Sequence, residues 1–298
     1  MMLSILIPVY RYDCTTLVIS LQEQCVGLGL SFEIILGDDA SGEDYTSIYD
    51  SLAARHTEVW VYHASENIGA GLMRQELATK AKGSSLLYVD ADVLPIEGLI
   101  AAYMRARAKY PEAVVCGGFR YDARDCRADN RLRYHYGTQV EMRSLAERET
   151  EPYRSFVAMC FLCPREMVLR YPFPRMGMGY EDAYWGEILR LNQVPLVHID
   201  APVVHRLKET DEGFLSTTER YLRNLYEHRN QFEGMSITIL GYYHGLRRYH
   251  LSRLVGWGGR HLVPCIREML RGRPNCIALF QLYKLMYFCS LDLETSSR

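Results

Sequence analysis

Two carboxylates stand one residue apart directly after an apolar run in the segment LLYVDADVLP. The run ends at Val89, and Asp90 and Asp92 follow it. Residues two apart in extended backbone face the same side, so these side chains can share one ligand. Mg²⁺ and Mn²⁺ bind through one or two carboxylates together with substrate phosphates. The pattern therefore predicts a divalent-cation site; a solvated turn is the alternative, since Asp is common in turns.

Two other predicted strands end in side chains that suit a nucleotide. SILIPVY reaches Pro8 and Tyr10, and EIILGDDASGED runs directly into Asp38 and Asp39. Carboxylates at a strand end can accept hydrogen bonds from a base or a ribose. An Asx turn that caps the next helix is the alternative for the acidic segment, although such a cap does not require two aspartates.

The segment ENIGAGLMRQELA predicts a helix that begins with glycines. Gly69 and Gly71 open the helix, and Arg74 adds a positive charge within its first turn. The free N–H groups of such a helix start can face an anion. A glycine-rich helix start is also common for purely structural reasons, so this segment indicates phosphate binding only in combination with the others.

An acidic pair and a histidine complete the candidate residues. Glu181 and Asp182 open an amphipathic helix after a glycine-rich turn, a position that the helix dipole alone favours for acids. His205 follows a predicted strand near Val197, and imidazole suits Mn²⁺ better than Mg²⁺, so His205 is a candidate third metal ligand. His198 competes for this role but lies within that strand. A surface or core histidine is the alternative.

The first 120 residues alternate strand-like and helix-like patterns, which predicts how these side chains are positioned. Such alternation generates a parallel sheet covered by helices, with ligands at the carboxyl ends of the strands. The predicted strands are Leu3–Val9, Phe32–Gly37, Val59–His63, Ser85–Val89 and Ala113–Gly118, and the predicted helices are Thr15–Cys25, Asp44–Arg55, Gly71–Lys82 and Ile96–Lys109.

The pattern is less regular after residue 118. Phe119–Gly137 is too charged for a core and predicts a long loop with one helical turn. Beyond it, a strand is predicted over Ser155–Cys163, a helix over Glu181–Leu191 and a strand over Pro195–Ile199.

The chain looks largely helical after Phe214, so we expect a catalytic domain over residues 1–213 and a helical appendage over 214–298.

The 298 residues are 48% hydrophobic and carry a formal net charge of -2, which argues against nucleic acid as a partner. The nine cysteines are odd in number and lie in apolar surroundings, which indicates a reducing compartment. Cys160 and Cys163 fit C-x-x-C but are predicted to be buried hydrophobic residues.

No membrane-spanning segment is predicted. The start MMLSILIPVY has the pattern of a first strand and lacks that of a signal peptide. The longest apolar stretch, Cys276–Leu291, contains Gln281 and Lys284 and is shorter than the roughly 20 residues that a span requires. Residues 247–273 hold seven arginines against one acid, Glu268. That composition suits a surface helix on anionic lipid or a clamp for a lipid-diphosphate acceptor; a packed appendage with a solvated basic face is the alternative.

Taken together, these segments resemble family 2 glycosyltransferases with the GT-A fold. SILIPVY, GDDASGED, NIGAGLMRQ, LLYVDADV and MGMGYEDAYWG occur in the family's order and at its spacing, over about residues 3–200. The resemblance implies an α/β fold of the Rossmann-like GT-A type, with a mostly parallel sheet flanked by helices. It implies transfer of a sugar from a nucleotide-diphosphate sugar, with uridine as the expected base, to an acceptor hydroxyl in cell-surface polysaccharide or glycan synthesis. The acceptor would be a glycan or a lipid-linked molecule.

The resemblance also implies a role for each candidate residue. The base pocket would be lined by Pro8, Tyr10 and Asp39, with Asp38 beside them, and Arg74 would lie near the nucleotide. Asp90 would reach the ribose or the water shell of the metal. Asp92 would bind Mn²⁺ or Mg²⁺ directly, and His205 would be a late metal ligand.

Asp182 is the residue to which the resemblance assigns the general base. Direct displacement at the anomeric carbon requires removal of a proton from the acceptor hydroxyl on the face opposite the diphosphate, and one carboxylate can do so. The metal neutralises the charge that develops on the diphosphate, and the transition state is expected to be oxocarbenium-like. One base on one face implies inversion. Glu181 is expected to hydrogen-bond the acceptor or to hold the loop.

Two departures from the family pattern leave the base and ribose contacts open: Arg11 stands where Asn commonly follows the tyrosine, and Gln75 replaces Asn after Arg74.

A nucleotidyltransferase or an NAD dehydrogenase would carry a glycine-rich loop after the first strand, and SILIPVYRYD has none. A catalytically silent module that binds nucleotide sugars stays an alternative, although both acidic motifs that such a module would lose are present. The expected location is the cytoplasm, with peripheral contact at the inner face of the membrane.

Overall fold

Strands from residues 3–198 form a seven-stranded mixed sheet. The computed structural model describes residues 2–177, 179–271 and 276–295. The sheet has the strand order β3-β2-β1-β4-β8-β6-β9, and a second sheet has the order β5-β10-β7. The strands are β1 (Leu3–Val9), β2 (Phe32–Asp38), β3 (Val59–His63), β4 (Ser85–Val89), β5 (Val93–Leu94), β6 (Val114–Cys116), β7 (Phe119–Tyr121), β8 (Cys160–Pro164), β9 (Leu196–His198) and β10 (Val203–His205).

Parallel pairing brings the carboxyl ends of β1, β2 and β4 to one edge. Val9 pairs with Asp38 and Leu6 pairs with Tyr88, so the residues that follow these strands emerge side by side. β1, β2 and β4 are buried along nearly their whole length, which explains their near-continuous apolar sequences. β8 runs antiparallel to both β4 and β6. The α/β fold expected from the sequence is confirmed.

Helices cover the sheet and make up most of the C-terminal part. The α-helices are α1 (Thr15–Gly27), α2 (Glu43–Arg55), α3 (Ala70–Lys80), α4 (Leu99–Lys109), α5 (Arg131–Tyr136), α6 (Leu145–Thr150), α7 (Arg165–Arg170), α8 (Glu181–Leu191), α9 (Asp211–Glu227), α10 (Thr238–Arg248), α11 (Ser252–Leu270) and α12 (Ile277–Thr295).

Two expectations about local structure were wrong. The segment Phe119–Gly137 is not mainly a loop: it contains β7, a short 3-10 helix over Ala123–Asp125 and α5. Asp211 supplies the reason for part of this order, because its carboxylate accepts a hydrogen bond from the Arg133 backbone and so caps α5 from a distant stretch of chain. The strand expected from Ser155 begins only at Cys160.

The chain divides into two compact units. The first comprises Met1–Arg120 and Arg143–Arg206, and the second comprises Tyr121–Met142 and Leu207–Arg298. The boundary expected at residue 213 differs from this division mainly because no sequence pattern indicates that residues 121–142 group with the C-terminal helices. The division of roles between a catalytic domain and an appendage stays a prediction.

Each unit has its own apolar core. In the first unit, a cluster of aromatic rings packs where β4 and β8 meet α8, and Phe173 stacks on Trp185 with ring centroids 4.8 Å apart. In the second, α5, α9, α11 and α12 meet around Phe214 and Phe280. All nine cysteines are free, and Cys160 and Cys163 are buried as expected. Among the helices of the described residues, none is long and apolar enough to cross a bilayer.

The turn after β6 provides a test of the packing in the first unit. A Cβ atom on Gly117 would clash with the carbonyl oxygen of Ala201 and lie 2.5 Å from the Tyr103 hydroxyl, which accepts a hydrogen bond from the Gly117 amide. We expect Gly117→Ala to lower the free energy of unfolding by about 1–3 kcal/mol or more, as overpacking does. Denaturant titration followed by circular dichroism measures the change.

Gly27→Ala is the matched control. Gly27 lies in the last turn of α1, and a Cβ atom there would meet nothing within 4 Å. Its substitution should leave stability unchanged or raise it slightly, because alanine is the better helix former. If the two variants had equal free energies of unfolding, the added Cβ atom at residue 117 would be accommodated without destabilisation, which would contradict the prediction.

Candidate active site

The carboxyl end of β4 leads into the acidic segment at the centre of the site. The Asp90 amide donates to the Met159 carbonyl at 2.8 Å, which extends the pairing of β4 with β8 by one residue. A turn then carries the chain to Asp92 and into β5. The side chain of Asp90 is 28% exposed and that of Asp92 is 42% exposed. Both carboxylates are therefore accessible at the edge where a ligand of such a sheet binds.

Arg74 joins Asp90 to the acidic start of α8. The guanidinium is buried on α3, where its Nη2 donates to Asp90 Oδ1 at 2.6 Å and its Nη1 lies 3.6 Å from Glu181 Oε1. Burial alone would lower the pKa of Arg74, but the charges of Asp90 and Glu181 outweigh it and raise the pKa. Within the described residues, Arg74 Nε and Nη1 have no hydrogen-bond acceptor. The cluster thus contains a positive charge whose Nε and Nη1 groups can still donate hydrogen bonds.

Neighbouring groups fix the position of Arg74. The Tyr88 hydroxyl donates to the Arg74 carbonyl at 3.0 Å, and the Phe173 ring centroid lies 5.9 Å from the guanidinium carbon. Gln75 accepts a hydrogen bond from the Phe173 amide at 3.3 Å. Sequence reasoning missed Phe173, because the segment around it, YPFPRMG, carries no motif; only its burial against Trp185 reveals it.

Glu181 is engaged with its own loop and with α3. The loop enters α8 through Gly179 and Tyr180, whose φ angles are +92° and +69°, and the Gly179 amide donates to Glu181 Oε2 at 2.8 Å. Gly71 makes room on α3, since a Cβ atom there would lie 3.1 Å from Glu181 Cγ. Glu181 is thereby bonded to the loop that precedes α8, and its role there stays a prediction.

Asp182 belongs to the same cluster, although 92 residues separate it from Asp90. Burial, with smaller contributions from the charges of Glu181 and Asp90, raises the pKa of Asp182 to about 7, although a hydrogen bond from the Ala183 amide and the Arg74 charge oppose the increase. Burial also raises the pKa of Asp90 to about 6 against the effect of Arg74. A carboxyl group of this kind can gain or lose a proton near neutral pH.

His205 lies beside Asp92 because their strands are neighbours. Antiparallel pairing sets His205 opposite Val93, and His205 Nε2 lies 3.1 Å from Asp92 Oδ2. A carboxylate oxygen and an imidazole nitrogen form a donor pair that fits Mn²⁺. The described residues contain no group of three or more His, Cys, Asp or Glu arranged around a metal. Substrate phosphates would have to complete the shell of an ion held here, as they commonly do for Mg²⁺.

His198, the competing histidine, is committed to internal contacts. It is buried, with Nδ1 3.0 Å from the Arg148 guanidinium and Nε2 2.9 Å from the Pro152 carbonyl oxygen. Burial lowers its pKa, so the neutral ring is favoured. Its role in the structure is therefore to join β9 to the segment around α6.

The acidic pair after β2 is bonded to the surrounding loops. Asp39 accepts hydrogen bonds from the amides of Ile68 and Gly69 at 2.7 and 2.8 Å, which fixes the start of α3. Asp38 accepts from the Ser41 amide at 2.9 Å and contacts His63 Nδ1 at 2.9 Å. Burial opposes ionisation of Asp38, but these hydrogen bonds outweigh it and lower its pKa.

The end of β1 offers a more accessible surface than the acidic pair does. Pro8 is half-buried, while Tyr10 is 44% exposed and the Arg11 guanidinium lies 5.1 Å from the centre of its ring. The Asp39 amide donates to the Val9 carbonyl at 2.9 Å, so the ends of β1 and β2 are tied together. Tyr10 therefore stands next to the loop that Asp39 organises.

Comparison with known proteins identifies the family of the chain. The family model described as Glycosyl transferase family 2 matches residues 4–170. The uncharacterized glycosyltransferase YfnE of Bacillus subtilis (strain 168) is 28% identical over 119 residues, which are 39% of this chain and 29% of YfnE. The chain thus spans less than a third of that relative.

Solved structures of low sequence identity share the fold. The mannosyltransferase PcManGT from Pyrobaculum calidifontis, in complex with GDP-Man and Mn²⁺, has a TM-score of 0.52 and 17% identity, covering 76% of this chain and 62% of its own. S. aureus TarS 1–349 in complex with UDP-GlcNAc has a TM-score of 0.53 and 14% identity, covering 88% of this chain and 73% of its own. At these identities the likeness establishes the fold, which is GT-A-like. Because the family model matches more than half of the chain, this protein belongs to glycosyl transferase family 2.

Proposed function

We propose that this protein is an inverting, metal-dependent glycosyltransferase that moves a sugar from a nucleotide-diphosphate sugar, a UDP-sugar in the first instance, to an acceptor hydroxyl. The observation that carries the proposal is the convergence of Asp90, Arg74, Glu181 and Asp182 in one cluster at the edge of the sheet. Membership of the family and the nucleotide sugars bound by the two compared structures support the choice of donor.

Asp182 acts as the general base in this proposal. Its carboxylate takes the proton of the acceptor hydroxyl as that oxygen forms a bond to the anomeric carbon and the bond from this carbon to the diphosphate breaks. Asp90 and Glu181 are engaged with Arg74, and Glu181 also with the Gly179 amide, so Asp182 is the base in this proposal. A single displacement with one base inverts the anomeric configuration. Glu181, bonded to the Gly179 amide and paired with Arg74, positions Asp182 at the start of α8.

Asp92 and His205 are the residues that would hold Mn²⁺ or Mg²⁺, with Asp90 reaching the ribose or the water shell of the ion. When bound, such an ion supplies positive charge that stabilises the departing diphosphate. Arg74 contributes a second positive charge close by and keeps Asp90 oriented through the 2.6 Å hydrogen bond. Pro8 and Tyr10 form the wall against which the base lies, while Asp39 and Asp38 shape the loops around it.

The acceptor is proposed from the family and from the C-terminal sequence. A glycan or a lipid-linked molecule at the cytoplasmic side of a membrane would supply the hydroxyl, as in the synthesis of cell-surface polysaccharides. Screening nucleotide sugars for Mn²⁺-dependent hydrolysis and transfer tests the donor class. Binding of nucleotide sugars without turnover of any of them would instead favour a catalytically silent module.

Substitution of Asp182 tests the base. We expect Asp182→Asn to lower kcat about 10²–10⁴-fold, the usual contribution of a positioned base, while the Kd for the nucleotide changes little. Single-turnover assays and calorimetric titration with UDP measure the two quantities. Glu166→Gln is the control, since Glu166 is an exposed acid in the first turn of α7 and should be dispensable. An Asp182→Asn variant with full turnover would contradict the assignment.

The pKa of Asp182 predicts the acidic limb of the pH profile. The base must be ionised, and burial raises its pKa to about 7, so kcat/KM should fall as pH drops through that region and level off above it. The same shift lowers stability progressively as pH rises from the ordinary pKa of 3.8 to about 7, and the full cost is present above that range. Asp182→Asn should therefore have an equal or higher Tm than the wild type at pH 8. A limb that appears only below pH 5 would contradict a raised pKa.

Substitution of Asp92 tests the metal site. We expect Asp92→Asn to weaken the apparent affinity for Mn²⁺ in the presence of UDP by about tenfold or more, because a carboxylate is the principal hard ligand. His205→Gln should have a smaller effect in the same direction. Thermal-shift titration with Mn²⁺ at saturating UDP measures both without relying on turnover. Asp44→Asn, an exposed acid at the start of α2, is the control, and equal Mn²⁺ affinity of Asp92→Asn and the control would contradict the site.

A further inference from the structure

The outward surface of α11 is unusually apolar for an exposed helix. One side of α11 faces the core of the second unit through Val263, Ile266 and Leu270. The opposite side exposes Leu254, Trp257, Leu262 and Met269, at 64%, 61%, 51% and 39%. Leu254 and Trp257 are three residues apart and so lie on the same face. We call these four residues the outer face of α11.

Close packing against α12 fixes the direction of this face. A Cβ atom on Gly256 would lie 2.5 Å from the Cys289 carbonyl oxygen, and one on Gly259 would lie 2.6 Å from that of Met286. The two glycines therefore let the backbones of α11 and α12 approach each other directly. Because the inner side of α11 is held this tightly, the helix cannot rotate to bury Trp257 without breaking the contact.

Arginines without carboxylate partners border the outer face. Arg253 and Arg260 lie seven residues apart, along one edge of the outer face, and both are exposed. Arg247 and Arg248 are exposed at the end of α10. Within the part of the chain that the structure describes, none of these four pairs with an acid. Arg267 differs, because it pairs with Glu212 and Glu219.

We propose that the outer face of α11 lies in the headgroup layer of an anionic phospholipid membrane, as a peripheral anchor. Apolar side chains including tryptophan, bordered by arginines on one helix lying in the membrane plane, are the features that this environment stabilises. Each arginine near an anionic surface gains electrostatic free energy. A second copy of the chain is a poorer occupant, since two such faces packed together would bring their arginines close to each other.

Flotation with vesicles tests the proposal on the full chain. The wild type should float with vesicles of phosphatidylcholine and phosphatidylglycerol at low salt, and binding should decrease at high salt and with phosphatidylcholine alone. We expect Leu254→Ser/Trp257→Ser to weaken binding about tenfold or more. Arg253→Gln/Arg260→Gln should weaken binding to a similar extent and reduce its dependence on salt.

Matched variants in the first unit control for apolar surface and for net charge. Val26→Ser/Leu28→Ser removes a pair of residues exposed at 61% and 46%, and Arg55→Gln/Arg170→Gln removes two exposed positive charges. Both should bind vesicles as the wild type does. All five proteins should have cooperative thermal unfolding, because every substituted side chain is exposed or half-buried at most, so loss of binding cannot be ascribed to unfolding.

Tryptophan fluorescence and sedimentation give independent readouts. Trp257 is exposed whereas Trp185 is fully buried, so vesicles should shift the emission of the wild type to shorter wavelength, and Trp257→Phe should abolish that shift. No flotation of the wild type on anionic vesicles would overturn the proposal. Vesicle binding by the Leu254→Ser/Trp257→Ser variant at the wild-type level would also overturn it. So would analytical ultracentrifugation that shows the wild type as a dimer and this variant as a monomer.

Discussion

The ion pair between the buried Arg74 guanidinium and Asp90 is the interaction on which the proposed site depends. The charge of Glu181 raises the pKa of both Asp90 and Asp182, and Arg74 is the cation that opposes these shifts. Removal of Asp90 would leave the buried guanidinium without its closest compensating charge, which is destabilising. Arg74 therefore keeps the acids together at the cost of placing a guanidinium inside the protein.

That cost is reduced by contacts that surround the cluster. The Tyr88 hydroxyl, the Phe173 ring and the bare backbone at Gly71 each place or accommodate a group of the cluster. Tyr180 adopts a left-handed conformation that is unfavourable for a residue with a side chain. Such strain persists only where surrounding structure enforces it, and here the enforcing contacts are those of Glu181 with Gly179 and Arg74. The conformation of the loop before α8 thus places Glu181 and Asp182 at the start of the helix.

Much of this arrangement was predictable from local sequence, and the part that was not depends on distant contacts. Leu3–Val9 and Glu181–Leu191 were predicted to the residue, because a continuous apolar run and an amphipathic period determine such elements by themselves. The order in residues 119–137 was missed, since α5 is capped by Asp211 from far along the chain. His205 was named from the sequence as a candidate ligand of the same metal as Asp92, but the two short strands whose pairing brings these residues together, β5 and β10, were not predicted.

The two acidic pairs show why residue type alone does not identify a ligand site. After β2, the chain turns back through Ala40 and Gly42, both with positive φ, and the amides of Ser41, Ile68 and Gly69 are drawn onto Asp38 and Asp39. After β4, the chain continues outward into β5, and the side chain of Asp92 is 42% exposed. Hydrogen bonds from loop amides hold Asp38 and Asp39 in the wall of the site, whereas an exposed carboxylate near a strand end can still gain a cation. The course of the backbone after each strand therefore decides which aspartates build the walls and which ones can bind.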